Sequence, residues 1–266
     1  MNQDKSALIG YTGFVGGTLL RQKIFGHRYR STNIEDIRER DFDLVVCAGA
    51  PAQKWLANRD PADDLRKING LIECLKATKA KEFILISTVD VFKNPLGVDE
   101  DSVVDEEGLH AYGLHRRLLE KFVTSHFDRH LVVRLPGLVG PGLRKNVIYD
   151  FHNDNNLGAI ESRGVFQFYP MVNLWWDIER ARQAGLQLVH LTAEPVSVAD
   201  VAQQGFGKSF AQQLAGTPAR YDMQTRHAEL FGGRGRHQYS ARETVQAVRA
   251  YAQSEPRASM ASGSGA

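Results

Sequence analysis

The segment Ile9-Gly10-Tyr11-Thr12-Gly13-Phe14-Val15-Gly16 constrains the fold more than any other. It follows a short apolar run, Ala7-Leu8-Ile9, and opens a stretch of helical pattern from Gly13 to Ile24. Three glycines at this spacing, between a strand and a helix, make a turn suited to a dinucleotide. Gly10 permits the tight turn, Gly13 lets the backbone approach a pyrophosphate, and Gly16 allows close helix–strand packing. The helix N-terminus then offers free N–H groups and the positive end of its dipole to the phosphates. A purely structural turn can show the same glycines, but their place at the head of a strand–helix unit favours the nucleotide.

The rest of the first half repeats that unit. Strands are expected near Phe25 to Arg30, at Leu44-Val45-Val46-Cys47, at Phe83-Ile84-Leu85-Ile86 and at Leu131-Val132-Val133. Helices are expected over Pro61 to Lys79, with Leu65, Ile68, Leu71, Ile72 and Leu75 on one stripe, and over His110 to His126. Strands apolar on both faces and separated by helices indicate a parallel sheet covered on both sides. The expected fold class is therefore α/β, a Rossmann-type doubly wound parallel sheet with a small C-terminal substrate-binding region. Residues 1–140 form the core and 141–255 the smaller region, interleaved with it. Residues 256–266 are small and polar and read as a disordered tail. In the less regular second half we expect a short helix over 145–152, a helix from an Asn173 cap to about Ala184, and a strand at 188–191. Capping boxes open at Ser197 and Ser240.

Composition excludes several classes. Lys and Arg number 33 against 31 Asp and Glu, so no broad basic face for nucleic acid is implied. No apolar run approaches the ~18 residues of a membrane span. The start, Met1-Asn2-Gln3-Asp4-Lys5, leads straight into a strand without the pattern of a signal peptide. The two cysteines, Cys47 and Cys74, lie in apolar settings and read as small buried hydrophobes. A cytoplasmic, reducing compartment is the expectation. Cys/His spacing for zinc is lacking, and no metal is expected.

Three further signals carry chemistry. After the second strand an NAD site usually places an acid for the ribose 2′-hydroxyl. Here the segment is His27-Arg28-Tyr29-Arg30-Ser31, and Arg30 with Ser31 suits a 2′-phosphate, so NADP is favoured over NAD. Ser87-Thr88 ends a buried strand, where ligands of open α/β sheets bind. Tyr112 and Arg116 are i,i+4 neighbours on a helix. A phenol at its ordinary pKa of about 10 is a poor acid–base group at neutral pH, and a fixed positive charge beside it stabilises the phenolate.

The order of glycine turn, Ser-Thr strand end and tyrosine helix resembles the extended (atypical) short-chain dehydrogenase/reductases, the NAD(P)-dependent epimerases, dehydratases and reductases of sugar nucleotides. The resemblance covers about residues 6 to 205. Arg134-Leu135-Pro136-Gly137 through Gly142 is similar to the family's segment beside the nicotinamide, Phe166 to Val172 to its substrate-domain strand, and Glu194 to Ala202 to a late strand–helix passage. Asn69 stands where the family often has asparagine. The resemblance implies that Gly10, Gly13 and Gly16 hold the pyrophosphate, lined by Thr12, Phe14 and Val15. It puts Ala48, Gly49 and Ala50 at the adenosine and ribose and Pro136 at the nicotinamide. Thr88 would bond the substrate oxygen, Tyr112 would be the acid–base residue, and Arg116 would serve both catalysis and cofactor binding. The implied reaction is hydride transfer between C4 of the nicotinamide and a sugar carbon, an oxidoreductase or epimerase activity in which Tyr112 moves the hydroxyl proton.

The chain also departs from the family. Arg116 stands where the family has lysine, with the same charge and a wider, planar head. His115 points about 100° away on a helix and is a poor substitute. The Asp-Glu pair of the dehydratases is replaced by Val89-Asp90, which disfavours dehydration. The chain is short for an epimerase and nearer to the short reductases. Arg116 motivates an alternative, a catalytically degenerate NADP-binding sensor or scaffold. Trp175, Trp176, Arg144, Lys145 and Tyr169 are candidates for a substrate pocket. The family's homodimers would pair helices near 61–79 and 110–126.

Overall fold

The computed structural model of the chain describes residues 4–258. Six strands form the central sheet: β1 (Ser6–Ile9), β2 (His27–Tyr29), β3 (Leu44–Cys47), β4 (Phe83–Thr88), β5 (His130–Leu135) and β6 (Leu188–His190). Their order across the sheet is β6-β5-β4-β3-β1-β2, and every pairing is parallel. Because side chains alternate along a strand, each strand feeds two cores. Ala7, Ile9, Val45, Cys47, Phe83 and Leu85 face one layer, which includes Ile68, Leu75, Leu119 and Val123. Leu8, Val46, Ile84 and Val133 face the other, with Leu19, Leu174 and Ile178. The first layer is built by α3 (Pro61–Lys76) and α4 (Ala111–His126), the second by α1 (Phe14–Gln22) and α6 (Leu174–Gln183). A short helix, α2 (Lys54–Arg59), precedes α3.

The chain runs from β1 outward to β2, then crosses back to β3 on the far side of β1. The crevice between the carboxyl ends of β1 and β3 is the switch point at which such sheets take ligands. The loops meet there: a Cβ on Gly10, whose φ is +84°, would lie 2.3 Å from the Ala48 carbonyl oxygen. A third apolar cluster belongs mainly to the C-terminal region. It gathers Val139, Phe168, Val201 and Val196 with Ile148 and Phe151 of α5 (Val147–Asn153) and Val248 and Tyr251 of α7 (Ala241–Ser254). A parallel pair, Gly137–Val139 with Phe168–Pro170, carries this region off the end of β5.

Local differences from the sequence expectation have identifiable causes. Phe25 is not in β2; Gly26 lies hard against the Asp4 backbone, and Phe25 turns its ring edge-on to Trp175 at 6.1 Å. Strand β5 runs on through Arg134, a charged residue sustained there by Glu120. The helix expected from 145 starts at Val147, because the Asn146 side chain accepts the N–H groups of Ile148 and Tyr149. Asn173 precedes α6 without capping it by its side chain, and the Ser240 capping box is formed. Between β2 and β3 there is one turn of 3₁₀ helix, Ile34–Ile37. In the expected tail, Arg257 pairs with Asp154 and the Ala258 N–H bonds Asn153; residues 259–266 lie outside the described residues.

Candidate active site

The glycine turn separates two reasons for having no side chain. A Cβ on Gly16 would stand 2.1 Å from the Gly10 carbonyl oxygen, so the fold itself demands glycine. At Gly13 the nearest atom to such a Cβ is 3.5 Å away, and φ −78°, ψ 171° is open to any residue. Nothing inside the protein forbids a side chain at Gly13, which stands exposed at the head of α1. That helix has no side-chain cap and no acid in its first turn, so its leading N–H groups are free for an anion. Thr12 is exposed beside it, Phe14 and Val15 are half-buried, and Ala48 and Gly49 back the turn at Gly10 from the end of β3, while Ala50 packs on the first core layer. The Gly10 N–H donates to the Tyr29 carbonyl at 2.8 Å, which ties the turn to the end of β2. Arg30 and Ser31 follow there, both exposed; Arg30 Nε donates to Thr32 and its backbone N–H to Asn33. Cys47 and Cys74 are buried free thiols, and burial pushes the Cys47 thiol up to about 11.

Thr88 and Tyr112 meet at the end of β4. Thr88 Oγ1 accepts the Asp90 N–H at 3.2 Å and helps turn the chain out of the strand. The start of α4 presses on this turn: a Cβ on Gly113 would lie 2.1 Å from the Asp90 carbonyl oxygen. His110 Nδ1 accepts the Gly113 N–H, and Asn58 accepts the Tyr112 N–H, so the helix entry is held from two sides. Burial raises the Tyr112 phenol above its ordinary value; the Arg116 charge opposes this, the Asp90 charge adds to it, and the nearby Thr88 hydroxyl and Lys54 charge oppose it.

Arg116 is where the sequence placed it, and its surroundings are new. Its guanidinium carbon lies 4.0 Å from the centre of the Tyr112 ring. Its terminal nitrogens bond both oxygens of Asp64 on α3, the Pro51 carbonyl and the Tyr112 carbonyl. His115 Nδ1 shares the same Asp64 carboxylate at 2.7 Å. Burial works to raise the Asp64 carboxyl, but the bonds from Arg116 and His115 outweigh it and hold the group below its ordinary range. The charge at position 116 is thus matched by a carboxylate. Only Nε of the guanidinium is buried without a partner. That orphan donor beside Tyr112, together with the open space at Gly13, fits a dinucleotide laid across the switch point.

The structure adds residues the sequence reading missed. Lys54 on α2 binds Asp90 at 2.7 Å, and the Tyr221 hydroxyl donates to Asp90 at 3.2 Å and receives Lys54 at 3.3 Å. Lys145, one of the pocket candidates, donates to the Ala52 carbonyl. No local signal joins Tyr221 to Asp90 across 131 residues. Asp64 does not stand out in the sequence, since an acid in the first turn of a helix is ordinary; the cue available was that a buried arginine needs a counter-ion. Other candidates fall elsewhere. Tyr169 is fully buried, bonded to Asp177 in the α6 layer. Trp175 packs on Phe25, and Trp176 is exposed on α6. Arg144 and Asn69 are exposed. Pro136 is buried where β5 gives way to Gly137–Val139. Among the described residues no group of three or more His, Cys, Asp or Glu is placed to hold a metal ion, and no helix is long and apolar enough to cross a membrane.

No protein-family model matches the chain, and no curated protein matches it by sequence. Solved structures do. RMD from Pseudomonas aeruginosa, complexed with NADPH, is 16% identical, with 94% of this chain and 99% of that one covered and a TM-score of 0.70. A dTDP-4-dehydrorhamnose reductase from Clostridium acetobutylicum is 17% identical over 93% and 98%, with a TM-score of 0.70. WbmG from Bordetella bronchiseptica, in complex with NAD and UDP, is 16% identical over 94% of each chain, with a TM-score of 0.72. The chain therefore has the fold of the extended short-chain dehydrogenase/reductases that its motifs resemble.

Proposed function

We propose that the chain is an NAD(P)-dependent oxidoreductase or epimerase acting on a sugar or sugar nucleotide. The observation that carries this reading is the convergence of Thr88 and Tyr112 at the switch-point end of the sheet, beside a glycine turn whose Gly13 has no internal reason to be glycine. Similar solved structures hold NADPH, or NAD with UDP. A bound nicotinamide supplies or accepts the hydride. Thr88 bonds the reacting oxygen of the substrate and orients it toward the phenol. Tyr112, kept protonated at neutral pH by burial, gives its proton to that oxygen in reduction and takes it back in oxidation. Asp64 and the Pro51 carbonyl fix Arg116 over the ring, so the phenol sits in a set position. Arg30 and Ser31 suit a 2′-phosphate, which favours NADP. By analogy with the family, α3 and α4 would form the interface of a homodimer.

One observation favours a second reading, a dinucleotide-binding sensor or scaffold without turnover. The Arg116 charge, which would stabilise the phenolate, is matched by Asp64. Titration with NADPH and NADH, followed by assay of sugar nucleotides with wild type and Tyr112→Phe, separates the two. Turnover that vanishes in Tyr112→Phe identifies an enzyme; tight dinucleotide binding with no turnover in either protein identifies the sensor. Failure to bind either dinucleotide at near-millimolar concentration removes both.

A further inference from the structure

The turn that leads out of β4 carries a polar group that the hydride and proton transfers leave unused. Asp90 Oδ1 accepts Lys54 Nζ at 2.7 Å and the Tyr221 hydroxyl at 3.2 Å, and Lys54 also donates to that hydroxyl at 3.3 Å. The three groups close a ring, and they come from the turn, from α2 and from the C-terminal region. Each is tied to its place by a separate contact. Thr88 Oγ1 accepts the Asp90 N–H, and the Asp90 carbonyl abuts Gly113, the residue after Tyr112. Asn58, one helical turn beyond Lys54 on the same face of α2, accepts the Tyr112 N–H at 3.0 Å. The Tyr221 ring stacks on Phe166 at 5.5 Å, and its N–H donates to the Val165 carbonyl, which fixes the phenol from the C-terminal side.

The ring is open to a ligand. The Lys54 side chain is 38% exposed and that of Asp90 17%. Among the described residues Asp90 Oδ2 has no hydrogen-bond partner, and Lys54 commits two of its three N–H groups within the ring. Burial works to lower the Lys54 pKa, but the Asp90 charge and hydrogen bond outweigh it, so the pair is ionic. A balanced ion pair offers no net charge to an anion or a cation. It does offer a free acceptor and a free donor side by side. A hydroxyl, which both donates and accepts, completes the two at once.

Resting on the sugar-nucleotide reading above, we propose that Lys54 and Asp90 together read one hydroxyl of the substrate's sugar ring, close to the oxygen addressed by Thr88 and Tyr112, and that Tyr221 holds the pair in register for it. Lys54 and Asp90 are then specificity residues, and Tyr221 is a positioning residue that acts through them.

Calorimetric titration of the dinucleotide-loaded protein tests this. The probes are UDP-glucose, dTDP-glucose and GDP-mannose, each beside its monodeoxy analogues and its bare nucleoside diphosphate. For the nucleotide sugar that binds, one monodeoxy analogue is expected to bind about tenfold more weakly, the scale of one charge-assisted hydrogen bond. That difference is expected to shrink in Lys54→Met and in Asp90→Asn and to vanish in the double variant. Tyr221→Phe, which keeps the stacked ring, is expected to narrow it. Comparing two ligands in each variant separates reading from support, since a pair that only holds the fold weakens both ligands alike. Such parallel weakening overturns the proposal. So does a wild type that binds the parent sugar and every monodeoxy analogue equally. If the dinucleotide binds and no nucleotide or nucleotide sugar does, the sugar-nucleotide reading itself fails and takes this one with it.

Discussion

Asp64 meets Arg116 with both carboxylate oxygens, and this joins α3 to α4 directly beneath Tyr112. Replacing Asp64 by Asn leaves a buried guanidinium without its counter-charge. Breaking a buried pair from one side costs about 3–5 kcal/mol. Urea unfolding of Asp64→Asn is expected to show a loss of that size, and a loss below about 1 kcal/mol would mean the pair behaves as a surface one. In whatever fraction stays folded, the unmasked charge should move Tyr112 ionisation downward, read as tyrosinate absorbance against Tyr112→Phe.

The two glycines of the turn should part company. Gly16→Ala drives a Cβ into the Gly10 carbonyl and is expected to destabilise by about 1–3 kcal/mol, the cost of overpacking. Gly13→Ala has room and an ordinary backbone, so its melting temperature should hardly change. Its NADPH affinity should still fall by about tenfold or more, near 1.4 kcal/mol. An unchanged affinity would show that no phosphate approaches this turn.

Arg30 stands just past the end of β2, and the next three residues, Ser31, Thr32 and Asn33, include no acid. Arg30→Ala should weaken NADPH and leave NADH nearly unaltered, by about 1.5–3 kcal/mol for a charged hydrogen bond. Parallel fluorescence titrations give the ratio of the two affinities; a ratio that does not move places the 2′-phosphate elsewhere or excludes it.

His190 adds a pH dependence. Burial holds its pKa down to about 4, with the Arg134 charge adding to this. Its Nδ1 faces the Gln224 carbonyl and Nε2 faces Arg134 at 3.3 Å, so the folded protein holds the ring neutral. The unfolded chain takes up the proton at about 6.5. Stability is therefore full above that value and is lost as pH falls from about 6.5 to 4, by an amount on the order of 3 kcal/mol. Denaturation between pH 7.5 and 4.5 should reveal the slope, and His190→Gln should flatten it.

The sheet was legible because each long strand is an unbroken apolar run and each long helix a stripe. The turn at Gly10–Gly16, Thr88 and Tyr112 were legible because their chemistry is local. What escaped is what the chain assembles at a distance. Arg116 reads as an available charge until Asp64 is placed 52 residues upstream against it. Tyr169 reads as a pocket residue because aromatic sequence does not tell a buried phenol from a binding one; Asp177 and Tyr239 settle it in the core. Strand β5 reads as ending at Val133 because Arg134 is charged, and only Glu120 and Ser87, converging from α4 and β4, sustain it.

The central sheet ends on both sides in strands of three residues, β2 and β6. Exposed margins of a sheet invite pairing with another chain, and brevity is one defence against it. At β6 a second defence operates: the His190 N–H is taken by Glu100, which reaches in from the loop beyond β4. A Glu100→Ala change would reopen that margin to pairing with a strand of another chain.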